Sequence, residues 1–213
     1  MPQLIAMVIV VVGAMIYMFQ TFGGTGDKIE GIAQKSSIIT EINNIKSGVQ
    51  LALRSEVVYN TSETESVENS LATSLSGIAS LEFFPEQINN QLIDNAVTNT
   101  YNAISFGASD NMEITLVLPS TDAAADESAR PGLFIDMSKG NLATNSGFLE
   151  KQVINDLESL ASIDEHAIST TGYNALDNDG DITAKTAAST GSDLDGMFTI
   201  YFKDLPRGSI RSE

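Results

Sequence analysis

Residues 4–22 read LIAMVIVVVGAMIYMFQTF, and Gly23-Gly24-Thr25-Gly26 follows at once; no charged side chain occurs before Asp27. About 20 helical residues at 1.5 Å each cross a hydrocarbon core roughly 30 Å thick, so the run is long enough to span one. A helix lying on a soluble core carries polar residues on its outer side, whereas this run is apolar all round. A cleavable secretory signal would need a basic lead, a shorter apolar stretch and a small-residue cleavage site. Only Met1-Pro2-Gln3 comes first, so the expectation is a retained hydrophobic segment with an acidic, water-soluble domain beyond it. Anchors usually carry Lys or Arg on their cytoplasmic flank. The α-amine alone serves here, which is how a chain begins after losing a short basic leader.

Working outward, three glycines in four residues each weaken a helix by roughly 1 kcal/mol relative to alanine. Gly23, Gly24 and Gly26 therefore read as a break or extended link. A phosphate-binding loop is disfavoured, because no strand precedes the cluster and the spacing before Lys28 is wrong. Residues 27–59 form a second, amphipathic helix, opened by Asp27 at its positive end. Ile29, Ile32, Ile39, Ile42, Ile45, Val49, Ala52, Leu53 and Val57 make its apolar stripe, with Lys28, Glu30, Lys35, Glu41 and Lys46 largely off it. Such a stripe suits a coiled coil or, more commonly, the face a helix lays on its own domain.

Beyond it lies a polar connection at 60–76, then a short helix at 86–96. Residues 101–106 (YNAISF) and 112–118 (MEITLVL) are expected to form a hairpin across a turn-rich linker, and 132–137 a third strand. An amphipathic helix at 148–161, with Asn145 or Ser146 as its cap, is held by Leu149, Val153, Ile154, Leu157 and Leu160. Residues 197–202 (MFTIYF) make the last strand, and the charged end, 203–213, is a surface strap or tail. The fold class is α+β: a long N-terminal helix, apolar then amphipathic, packed on a small antiparallel sheet. The expected divisions are 1–26, 27–59 and a head at 60–213.

Composition narrows the function. Net charge is −17, from 28 acidic and 11 basic residues, which disfavours a direct grip on nucleic acid. The chain has no cysteine and one histidine, so disulfides, thiol chemistry and multi-histidine metal sites are excluded. No nucleophile-base pattern stands out, and an enzyme is not expected. The single ligand-like cluster is Asp177, Asp179 and Asp181 around Gly180. Alternating carboxylates supply oxygens to calcium, but the twelfth position, where an EF-hand carries Glu, is Ala188. An Asx/Gly turn is the competing reading, with Asp193 and Asp195 as further oxygens if the loop folds back.

The apolar half-helix from Met1, the glycine interruption, the amphipathic continuation and the α/β head with a closing strand together resemble a mature type IV pilin, more closely the type IVb branch. The resemblance covers most of the chain as architecture and is specific in the first sixty residues. It implies a leader removed before Met1, an N-methylated Met1, residence in the inner membrane before assembly, and assembly machinery there as partner. It also implies a homo-oligomeric helical filament at the cell surface, with the half-helices as its core. Met1, Leu4, Ile5, Val8, Val11, Val12 and Ile16 would carry assembly, and Gly23, Gly24 and Gly26 would lose helicity. Two departures stand out. The family commonly has a glutamate where this chain has Ile5, which also fits a minor pilin or a type II secretion pseudopilin; and the C-terminal disulfide of the type IVb branch is absent. The rival reading is a membrane-anchored solitary binding or sensor domain.

Overall fold

The computed structural model describes residues 31–58, 72–96, 99–107, 111–118, 130–165, 167 and 195–205. A helix, α1, occupies 31–54. It is followed by α2 (Leu75–Ser80), α3 (Glu86–Asp94), β1 (Thr100–Asn102), a 3-10 turn (Ile104–Phe106), β2 (Glu113–Val117) and β3 (Gly132–Asp136). A second 3-10 turn (Gly140–Asn145) leads into α4 (Ser146–Leu157), and β4 (Ala161–Asp164) and β5 (Met197–Phe202) complete the order. The strands form one antiparallel sheet ordered β1-β2-β3-β5-β4. An α+β fold with an N-terminal helix on a small antiparallel sheet is thus what the chain adopts.

The period-2 alternation of strands sorts the sheet into two faces. Cross-strand partners Tyr101, Ile114 and Ile135, then Leu133, Ile200 and Ile163, share one face. The buried α1 side chains Ile38, Ile42, Ile45, Val49, Ala52 and Leu53 join the same core, as do Leu149, Val153 and Leu157 of α4. On the other face Val117, Phe134 and Ala167 form a small cluster.

Several expectations are corrected. The helix expected to reach residue 59 stops at 54. Glu56 adopts φ +55°, its N–H reaches Leu53 O at 3.1 Å, and Val57 N–H reaches Ala52 O at 3.4 Å. That is the reciprocal pair of a Schellman end, with glutamate where glycine usually sits, so the usual stop signal is missing from the sequence. Within the helix, Ile32 is exposed, whereas Glu41, read as lying off the apolar stripe, is buried. Ile38 takes a place on the buried side.

The strand expected at 101–106 ends at Asn102 and turns into a 3-10 segment. The polar connection expected to run to residue 76 gives way at Leu75 to a helix over 75–80, with Ser74 Oγ accepting from Gly77 N–H as N-cap. The helix expected to run to Ala161 ends at Leu157, and Ala161 begins β4. Asn145 sits at the start of α4 but makes no side-chain cap bond. Leu160 does not hold this helix to the sheet: it lies in the connecting turn, 55% exposed. The strand at 197–202 has the bounds its sequence suggests.

Candidate assembly surface

The two sides of α1 carry different chemistry. Its inner side is bound to the head by packing and by one buried acid. Glu41 Oε2 accepts from Tyr101 Oη at 2.7 Å, while Oε1 accepts from the Ser105 backbone N–H at 2.8 Å and from the Ser105 hydroxyl. A single carboxylate thus ties α1 to both β1 and the 3-10 turn after it. Burial, then the hydrogen bond to Glu41, pushes the Tyr101 phenol well above its usual range. Gly48 provides the second junction: the ring of Phe84 lies where a side chain at 48 would stand. Phe84 is held there by Asn89, whose Oδ1 accepts from Phe84 N–H at 3.2 Å and whose Nδ2 donates to Phe84 O at 2.6 Å.

The outer side reads Ile32, Ser36, Thr40, Asn43, Ser47 and Leu51, spaced by three or four residues and all exposed. None is charged, in a chain of net charge −17. The strip ends at Arg54, an exposed charge three residues beyond Leu51, while the two lysines that flank it are turned aside. Lys35 pairs with Asp156 of α4 at 2.7 Å. Lys46 pairs with Asp204 at 2.6 Å and lies 4.5 Å from the centre of the Phe202 ring.

Two of the three hydroxyls on this side fold back onto the helix. Thr40 Oγ1 donates to Ser36 O at 2.8 Å and Ser47 Oγ to Asn43 O at 2.7 Å. A back-bonded hydroxyl has its donor satisfied before any partner arrives, so covering it avoids the cost of an unpaired buried donor. The strip is therefore polar enough to stay in water and cheap to dehydrate. The sequence carried its signal in the spacing of the neutral residues, but that signal was legible only once Glu41 was known to face inward.

The positions expected to carry assembly, Met1, Leu4, Ile5, Val8, Val11, Val12 and Ile16, and the link glycines Gly23, Gly24 and Gly26 lie outside the described residues. So do Asp177, Asp179 and Asp181. Among the described residues no helix is long and apolar enough to cross a membrane, and no group of three or more potential metal-ligating side chains gathers. Asp195, considered as a further calcium ligand, spends Oδ1 on the N–H of Met197 at 2.9 Å.

No family model, no curated protein and no solved structure matches the chain. The surface just described is thus read from the chain's own residues.

Proposed function

We propose that the chain is a structural subunit that self-assembles, through its hydrophobic N-terminal segment, into an extracellular filament of the type IV pilus kind. It would wait in the inner membrane until assembly machinery withdraws it, and it would work by self-association without catalysis. The observation that carries this reading is the uncharged strip from Ile32 to Leu51 on the outer side of α1, with Thr40 and Ser47 bonded back to the helix, which lies C-terminal in sequence to the apolar run at 4–22. A helix of a solitary acidic domain has no need to keep its solvent side free of charge over this length. One that packs beside copies of itself does, because like charges brought together at low dielectric repel strongly. Contacts between non-equivalent patches of identical subunits propagate as a helical filament when the rotation between copies does not close a ring.

The test is Val8→Asp in the full chain. A carboxylate inserted in the apolar run costs several kcal/mol when dehydrated. Sheared cell-surface material from the variant is expected to lack fibres under electron microscopy, while circular dichroism of the detergent-extracted chain keeps the wild-type spectrum. Wild-type fibres in the variant, or no fibres from the wild-type chain, would overturn the reading.

A further inference from the structure

The two edges of the sheet are treated differently. At β1 the outward backbone of Asn102 is closed off by a side chain: its N–H donates to Gln91 Oε1 at 2.9 Å and its carbonyl accepts from Gln91 Nε2 at 2.8 Å. A glutamine amide there stands in for a neighbouring strand, one way of blunting a sheet edge.

The β4 edge has no such cover among the described residues. Lys203 N–H donates to Leu160 O at 3.0 Å, which makes Leu160 and Lys203 a hydrogen-bonded pair. By antiparallel alternation Ser162 faces Tyr201 and Asp164 faces Thr199 in the same way, so the N–H and C=O groups of Ala161 and Ile163 point away from β5. Beside them a groove of about 340 Å³ is lined by Ile154 of α4, by Glu158 at its C-terminal end, by Ala161 and Ile163, and by Glu165 and Lys203. Among the described residues neither glutamate is in an ion pair.

We propose that this groove receives residues 206–211 of a neighbouring copy as an added strand. Charge selects the occupant. Two acids and one base line the groove, and most of the surface of a −17 chain would be repelled by it. Residues 206–211 read Pro-Arg-Gly-Ser-Ile-Arg, with two arginines and no acid. Extended, they alternate Arg207, Ser209 and Arg211 on one side with Gly208 and Ile210 on the other, which offers an apolar side chain to Ile154 and Ile163. Arg207 and Arg211 would stand about 13 Å apart, close to the length of a four-residue strand such as β4.

Position selects a neighbour's segment over the chain's own. Leu205 is buried in the core, and Asp204 is fixed to α1, its carboxylate by Lys46 and its carbonyl by Gln50. From there the chain's own residues 206–211 would have to cross two strand spacings, roughly 9–10 Å, past the turn at 158–160. A neighbour's segment meets no such obstacle, and a tail-in-groove contact is head-to-tail, the kind that can propagate along a filament. The inference rests on the assembly reading and adds to it a second contact, made by the heads.

The absence of native cysteine makes the test direct. Full-length copies with Glu165→Cys are mixed with copies carrying Arg207→Cys, Ser209→Cys or Arg211→Cys, and treated with a short bismaleimide, both in fibres and in concentrated detergent solution. Covalent dimers are expected from the mixture at a preferred register. Ile163→Pro, which removes an outward N–H and leaves the β4–β5 ladder its bonds, should lower the yield about tenfold. So should Glu158→Lys with Glu165→Cys retained, whereas Glu158→Gln should lower it less. Fibres without cross-links at any of the three positions overturn the groove contact and leave the assembly reading intact. Cross-links confined within double-cysteine copies, with none between mixed single-cysteine copies, overturn it in favour of a strap on the chain's own head. Cross-links in detergent from a chain that never forms fibres support the groove contact while the assembly reading falls.

Discussion

The ring of Phe84 fills the notch left by Gly48: a Cβ built on residue 48 would collide with Phe84 Cδ1 and lie 3.0 Å from the carbonyl oxygen of Phe83. Glycine in a helix interior is unfavourable by about 1 kcal/mol relative to alanine, so this position trades helix propensity for close approach of the 83–85 segment. Because Asn89 bonds both backbone groups of Phe84, the backbone there cannot withdraw without breaking two buried hydrogen bonds, and the ring can yield only by changing rotamer. Gly48→Ala is therefore expected to destabilise the chain by roughly 1–3 kcal/mol, as overpacking does, despite the better helix former. Denaturant unfolding of the detergent-extracted chain measures it. Phe84→Leu should recover part of the loss in the Gly48→Ala background while costing stability on its own; independent, additive effects of the two changes would argue against direct contact.

The clamp between α1 and β1 predicts a dependence on pH. Tyr101 is held protonated by burial and by its bond to Glu41, so its pKa is raised on folding. Between the unfolded value, about 10, and the higher folded value, the native chain binds one proton more than the unfolded one. Stability from this group is complete below pH 10 and is lost as pH climbs above it, by at most about 1.4 kcal/mol per pH unit. Absorbance at 295 nm should reveal one of the five tyrosines ionising only as the fold is lost. Tyr101→Phe should remove that share of the alkaline slope. Glu41→Ala leaves the Tyr101 hydroxyl and the Ser105 N–H without their acceptor and should cost roughly 1–3 kcal/mol at neutral pH.

Gly196 joins the turn before β5 to the start of α4. Its φ is +92°, and an added Cβ would meet Ser146 Cβ at 2.6 Å, while its N–H donates to the buried Glu150 Oε2 at 2.7 Å. Gly196→Ala therefore faces a left-handed backbone conformation and a collision together. Its thermal midpoint should fall further than that of Gly107→Ala, where φ is +87° but no atom stands within 4 Å. Equal losses at the two positions would mean that backbone conformation alone decides the effect.

The reach of the sequence can be judged element by element. The last strand was legible because, after Met197, FTIYF is an unbroken β-branched and aromatic run that ends at Lys203. Most of the inner side of α1 was legible from its spacing. Glu41 was not: a charge reads as solvent-facing, and its partners, Tyr101 and Ser105, lie about 60 residues on. Nor was β4, since Leu157, Leu160 and Ala161 continue the helix period and only a turn with no Gly or Pro separates α4 from the strand. The uncharged strip from Ile32 to Leu51 is hidden for the same reason, because Glu41, off the apolar stripe by spacing, reads as one of the charges beside it.

That outer side yields the prediction most directly tied to assembly. Thr40 and Asn43 are exposed and one helical turn apart, and no part of the core depends on either. Thr40→Glu with Asn43→Glu should leave folding near wild type, since exposed substitutions of this kind usually change stability by about 0.5 kcal/mol or less. In a packed filament the same two carboxylates would be repeated on every subunit and dehydrated without partners, at a cost of several kcal/mol per copy. Fibres should therefore be lost or greatly reduced, and Thr40→Gln with Asn43→Gln, of similar size and neutral, should retain them. Wild-type fibre yield in the doubly acidic variant would show that this side of α1 stays in water and that the heads are joined elsewhere.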